Sequence, residues 1–392
     1  MIHNHEVPGS IPGLATEAEK VLGLSPFFLI LSGVQMRYKL TAILSFIFLL
    51  NVNAQESAKV YTQGAFKDDK FSIVLDVENY NFFDNREVHS PYQISQTIFG
   101  SQLGADIGVQ FGDNTVMAGA MIIKDFGTSG LFKNDFTFYY RYDNGRFSGA
   151  FGSFPRKILH RELPDIFVYD SLRYYSPILH GALIKYECEY GYAEAYCNWI
   201  NKQSETQREI FEIVSDGRFG YKGYYGGWNV QLLHFSVPRP SNGLKVYDKL
   251  MINPHIGIER KKTGWLDEFS IEAGLMLSLN RDRNDMVWKT PVGFLGDVRL
   301  CKWRIELRNR IYVGKSQYSD YELYGSQLHR GDPYYRSSFY NRTDVSFNLL
   351  KKRIVKCFVK ASFHYTEQKL DCSQQVILRI CPDLGILKRI FK

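Results

Sequence analysis

From residue 71 onward, apolar and polar side chains alternate with period two, the mark of strands whose two faces meet different surroundings. Across 338 to 349, Ser338, Tyr340, Arg342, Asp344, Ser346 and Asn348 share one face, while Phe339, Asn341, Thr343, Val345, Phe347 and Leu349 share the other. Across 304 to 313, Arg304, Glu306, Arg308 and Arg310 alternate with Ile305, Leu307, Asn309 and Ile311. The same pattern sets Val355, Cys357, Val359, Ala361, Phe363 and Tyr365 against Ile354, Lys356, Phe358, Lys360, Ser362 and His364. It predicts strands at 71 to 84, 98 to 111, 115 to 126, 134 to 144, 146 to 154, 178 to 190, 192 to 201 and 207 to 219. Eight more follow at 224 to 237, 249 to 260, 268 to 280, 290 to 302, 304 to 314, 338 to 350, 353 to 367 and 374 to 386. A tilted strand needs about 9 to 11 residues to cross a bilayer, whereas soluble strands cluster near five or six. Most of these stretches are long enough to cross. The predicted fold is therefore all-β: a closed antiparallel transmembrane β-barrel of about 16 strands, within a boundary error of about two (14–18).

The connectors agree. Those after even-numbered strands are short: Gly112 to Asn114, Asp143 to Gly145, Gly191, Tyr221 to Gly223, Lys261 to Asp267, Lys302-Trp303 and Lys351-Lys352. Those after odd-numbered strands include the three longest, at 85 to 97, 155 to 177 and 315 to 337. Membrane barrels alternate short periplasmic turns with longer external loops, and an even strand number leaves both chain ends on the periplasmic side.

Residues 36 to 55 read MRYKLTAILSFIFLLNVNAQ, with bases at Arg37 and Lys39, an apolar run from Leu40 to Leu50, and a small residue, Ala54, ahead of Gln55. That run is too short to span a bilayer and reads as a secretory signal peptide, 36–54, cleaved near Ala54. Residues 1–35 carry acids and prolines foreign to such a segment and read as a misassigned upstream start; the alternative is a real extension, whose apolar stretch Val21 to Val34 is broken by Pro26. Residues 55–70 then form a periplasmic lead-in and 71–392 the barrel, with localisation in the outer membrane. Phe391, next to last, resembles the terminal aromatic that barrel-assembly machinery recognises, displaced by one lysine. Outer-membrane lipid and that machinery are the expected partners.

Composition narrows the rest. A hydrophobic content of 45% and a mean hydropathy of -0.25 exclude a bundle of membrane helices, each of which needs about 20 consecutive apolar residues. Aromatics at 15% suit strands and membrane interfaces. The net charge of +7 comes from bases interleaved with acids along the whole chain, not clustered as nucleic-acid binding requires. Cys188, Cys197, Cys301, Cys357, Cys372 and Cys381 include no CxxC pair and no zinc spacing, so no metal or other cofactor is expected. Cys188 and Cys197 could meet in one hairpin, but small packed residues are the simpler reading.

The signal peptide, the strand count and the long third external loop together resemble the general and substrate-selective porins, over about residues 71 to 392 and without a position-specific motif. The resemblance implies that residues 155 to 177 fold into the lumen as a constriction, presenting Arg156, Lys157, His160, Arg161, Glu162, Asp165, Asp170 and Arg173. Lumen-phase residues Arg299, Arg304, Glu306, Arg308, Arg310, Arg342, Asp344, Lys356 and Lys360 lean basic even with Asp297 counted. A narrow site strengthens the field of such charges, which implies passive or weakly anion-selective passage of small solutes, anionic or sugar-like. The same ladder could instead only brace the wall. As in many porins, a homo-oligomer is allowed. A second reading is a plugged barrel serving surface-polysaccharide assembly, with Tyr174-Tyr175, Tyr321 to Tyr324 and Tyr334-Tyr335 in its loops. A third is a barrel-embedded hydrolase with Ser/His or Asp/His groups. Against it, the chain has no GxSxG and no HExxH, and His160, His180, His234, His255, His329 and His364 stand singly, so no enzyme activity is expected.

Overall fold

In the computed structural model, residues 72–241, 243–283, 287–367 and 369–381 are described. The upstream segment, the signal peptide, the lead-in and Phe391 lie outside them. The strands are β1 (Ser72–Glu87), β2 (Gln96–Phe111), β3 (Asn114–Asp125), β4 (Lys133–Asp143), β5 (Phe147–Pro155), β6 (Ile178–Cys188), β7 (Gly191–Asn201), β8 (Ile210–Tyr221) and β9 (Tyr224–Phe235). They continue with β10 (Tyr247–Thr263), β11 (Leu266–Asp282), β12 (Trp288–Lys289), β13 (Val292–Lys302), β14 (Ile305–Gly314), β15 (Phe339–Lys351), β16 (Val355–Thr366) and β17 (Leu370–Ile380). β12 is a two-residue strand on the end of β11, leaving sixteen long strands in the wall. Each pairs antiparallel with the next, and β1 closes the ring on β17 from Asn79↔Ile380 to Glu87↔Cys372. The chain is a closed sixteen-strand antiparallel barrel of porin-like architecture.

Most strand ends lie within three residues of expectation, and the clearest differences fall at the closure. β1 runs three residues past its expected end, and β17 starts at Leu370 rather than 374, because Asn85, Arg86 and Glu87 pair with Gln374, Ser373 and Cys372. Here the ladder continues through polar side chains that give no alternation to read. All six cysteines are free; Cys188 faces Gly191 and Cys197 faces Ala182 in the ladder.

The apolar side chains of the alternation point outward. Phe136 (76% exposed), Phe138, Phe151, Ile184, Ile256 and Phe363 are open, while their chain neighbours Thr137, Tyr139, Leu183 and His255 are buried inside. At the short-turn end Tyr221, Tyr224, Trp265 and Trp303 are exposed, as in an aromatic girdle. Two external connectors fold inward. The first runs from Pro155 to Ile178 and carries α1 (Asp170–Tyr175); the second joins β14 to β15 and carries α2 (Tyr321–Leu328). Their Leu163, Ile166, Phe167, Val168, Leu172, Tyr318, Tyr334 and Tyr335 pack in one cluster with Tyr139, Phe154, Tyr196, Met251, Met276 and Tyr312, drawn from strands all round the wall. A layer of packed side chains thus crosses the interior.

If the outer face meets hydrocarbon, Ile256→Arg, placed mid-strand, should cost about 2–4 kcal/mol. Equilibrium unfolding in lipid vesicles measures this.

Candidate functional site

The inward loops bring two of the expected constriction residues, Asp165 and Asp170, into contact with expected lumen residues, while the others meet different partners. Asp165, 1% exposed, takes an ion pair from Arg310 at 2.7 Å and one from Arg342 at 3.4 Å. Arg342 also holds Asp344 (2.9 Å), Asp170 (3.0 Å) and Asp332 (3.5 Å), and Arg310 donates to Asp344 as well. Loop and wall are therefore joined by buried charge, which is tolerable only because each group is paired. Lys157 bridges Asp76 (2.8 Å) and Glu78 (3.1 Å), Arg161 meets Asp216 through two hydrogen bonds of 3.1 Å, and Arg173 joins Asp170 (2.6 Å) to Glu162 (3.1 Å). Arg156 donates to the Ser176 carbonyl at 3.1 Å. His160 Nδ1 sits 3.0 Å from Glu187.

On the wall, Arg299 pairs with Glu306 at 2.9 Å and Arg308 with Asp297 at 2.6 Å. Lys360 is half-buried. Arg304 lies in the turn ahead of β14, donating to the Leu349 carbonyl at 3.0 Å, and Lys356 is exposed near the start of β16. Among the described residues, one cavity of about 280 Å³ and another of about 330 Å³ share Arg161, Glu162, Leu163 and Arg173 in their linings.

Within this network Asp332 differs from its neighbours. Burial would raise the Asp165 and Asp170 carboxyls, but Arg310 and Arg342 at the first and Arg342 at the second more than offset it and hold both below the usual range. Asp332 is pushed up to about 6, by burial and by the charges of Asp165 and Asp170, against the pull of Arg342.

A second constellation lies at the external rim. β4 and β5 pair only from Phe138↔Ser153 to Asp143↔Ser148, so Lys133 to Thr137 have no partner on β5 and the wall opens there. Gly152, at φ +121°, sits where any Cβ would come 2.2 Å from the Phe138 carbonyl oxygen, so only glycine fits this backbone. The next residue, Ser153, is the cross-strand partner of His180 on β6, with Oγ 2.9 Å from His180 Nδ1. His180 Nε2 lies 3.4 Å from Asp135 Oδ2, and Lys133 Nζ is 3.1 Å from the same carboxylate. The His180 backbone N–H donates to Asn198 Oδ1 at 3.0 Å, and buried Asn198 donates to Glu212 at 2.9 Å, which fixes the strand carrying the imidazole. His180 remains 35% exposed and Asp135 21%, so the site is open at the rim. Serine, imidazole and carboxylate in sequence are the parts of an activated nucleophile. The two ring nitrogens are exchanged relative to the serine-protease template, with Nδ1 as the base nitrogen; an imidazole serves either way round.

A family profile described as "Lipid A 3'-O-deacylase-type" matches residues 66–389. The chain belongs to this family. Membership overturns the expectation of a protein without enzyme activity, since the family is named for a deacylase. No curated protein matches the chain significantly. Among solved structures, the chain is similar to a loop-deletion mutant of OmpT, an outer membrane protein of Vibrio cholerae: 8% identity, 80% of this chain and 100% of that one covered, TM-score 0.49. It is similar also to an anion-selective porin from Comamonas acidovorans (10% identity, 80% and 100% covered, TM-score 0.48) and to the outer membrane channel DcaP of Acinetobacter baumannii (10%, 80% and 97%, TM-score 0.44).

The constellation escaped the sequence because its members stand 18 and 27 residues apart on three strands, outside any short motif. One signal was present: Ser153 lies two residues before Pro155 and His180 two after Ile178, so closing that long loop as a hairpin makes them partners.

A carboxyl whose pKa is higher in the folded than in the unfolded state stabilises the fold at low pH and loses that contribution as pH rises through the folded value. Through Asp332, stability should rise as pH falls from about 6 toward 4, by on the order of a few kcal/mol. Asp332→Asn should melt higher than wild type at pH 8 and lose this dependence. Thermal melts in detergent at pH 4 to 8 test both.

Proposed function

We propose that this chain is an outer-membrane acyl-ester hydrolase whose substrate is a saccharide-based lipid of the kind its family is named for, with an acyl chain in 3'-O ester linkage. The observation that carries the reading is the contact of Ser153, His180 and Asp135 at a gap in the wall, on the external rim, where an outer-leaflet lipid can reach it sideways. Ser153 Oγ attacks the ester carbonyl carbon while His180 Nδ1 takes the hydroxyl proton. Asp135, beside Nε2, holds the ring in orientation and stabilises the imidazolium. Collapse of the tetrahedral intermediate breaks the bond to the sugar oxygen, which leaves with the proton from His180. Water, deprotonated by His180, then releases the fatty acid from Ser153 and restores the site.

The packed layer across the interior supports this reading over passive, weakly anion-selective passage of small solutes. Bases expected to favour anions are held by acids: Arg310 and Arg342 by Asp165 and Asp344, Arg308 by Asp297. Ion pairs of this kind brace loops against a wall.

Ser153→Ala and His180→Ala should each lower fatty-acid release from purified lipid A by about 10³-fold or more, and Asp135→Asn by less. Mass spectrometry of the lipid product reads it; full activity in Ser153→Ala would refute the assignment. In planar bilayers the purified protein should show no stable conductance, and a steady anion-selective current would restore the channel reading.

A further inference from the structure

The outer wall beside the rim site carries a second polar feature facing away from the lumen. Gly181 pairs with Asn198, so Trp199 continues the row level with His180. Trp199 pairs with Phe211, Phe211 with His234, and His234 with Asp248, all in direct register on β7 to β10. The rings form a continuous row, Trp199 stacked on Phe211 at 5.1 Å and Phe211 tilted against His234 at 5.0 Å. Beyond it, Asp248 accepts from Arg283 Nε at 2.7 Å and Nη2 at 3.1 Å and lies 2.9 Å from His234 Nδ1. Trp199 is 44% exposed and Arg283 39%. Asp248 belongs to the outward set of β10, whose inward set, Lys249, Met251 and Asn253, is buried.

An interfacial girdle explains exposed Trp and Phe but not a carboxylate with a guanidinium on the same outward face, since charge facing hydrocarbon is costly. The pair fits a place where the neighbouring lipid is itself polar. Aromatic rings beside a carboxylate–guanidinium pair offer what a sugar needs: apolar surface for its C–H face, and charge-assisted donors and acceptors for its hydroxyls. At about 4.8 Å per strand, the row from Ser153 on β5 to Asp248 on β10 spans about 24 Å. That is too far for the headgroup of a single glycerophospholipid whose ester sits at Ser153.

We propose that Trp199, Phe211, His234, Asp248 and Arg283 form a headgroup subsite that selects lipids bearing an oligosaccharide, with sugars running along the rim from the scissile ester toward Asp248. The subsite rests on the hydrolase reading of Ser153 and His180, and the test separates the two. In the first arm, kcat/KM is measured for an acylated lipid carrying a long oligosaccharide and for a simple p-nitrophenyl acyl ester. Trp199→Leu, Asp248→Asn and Arg283→Gln should each lower the ratio of the two constants by about tenfold. In the second arm, a water-soluble oligosaccharide from deacylated lipopolysaccharide is titrated into the Ser153→Ala protein, whose tryptophan fluorescence should change saturably, and about tenfold more weakly with Asp248→Asn added. Unchanged ratios in all three variants, or titration curves identical with and without Asp248→Asn, would overturn the subsite. Activity surviving Ser153→Ala would overturn the hydrolase reading alone, because the binding arm does not depend on turnover.

Discussion

Hydrocarbon offers no hydrogen bond, so every backbone N–H and C=O in a wall that crosses it must find its partner within the protein. The pairing of β1 with β17 meets that demand by removing both edges. Everything else hangs on this closure. It fixes the alternation of apolar-out and polar-in along the strands, and it keeps irregular backbone at the rims or inside the barrel, away from lipid. One place where a neighbouring pair parts early, Lys133 to Thr137 of β4, lies at the external rim, and there Asp135 reaches a histidine two strands away.

Two regions then divide the work. The interior holds Asp165, Asp170, Asp332, Asp344, Arg310 and Arg342 in one buried network that ties two long loops across the barrel. Charge at that depth is stable only while every member is paired, so the network fastens the loops more than it attracts solutes. The rim holds chemistry that remains partly exposed. Asn198 joins the two: its side chain accepts from the backbone of His180 and donates to buried Glu212. A rigid interior thereby positions a group on the edge of the outer face.

The barrel was legible because its physics is local. Period-two alternation, strand length and the rhythm of connectors each report the membrane directly, and Val345, Phe347 and Phe363 all face outward as their positions in the pattern require. The inward fold of residues 155 to 177 was legible through resemblance, and the same behaviour in 315 to 337 was visible only as a long loop rich in tyrosine. The site was not legible. Ser153 and His180 meet through strand register, and Asp135 joins them through a break in pairing that no spacing announces. The basic excess misled for a related reason: most of the acids that hold Arg308, Arg310 and Arg342 lie on other strands or in loops far along the chain.

The central claim is that a serine on the rim of a membrane barrel is an activated nucleophile. An alkyl fluorophosphonate with a long acyl tail reacts only with such a serine, and peptide mapping by mass spectrometry locates the adduct. The protein in lipid vesicles should carry the label on Ser153, and His180→Ala should abolish it. Labelling confined to another residue, or a fully active protein that takes up no label, would contradict the account.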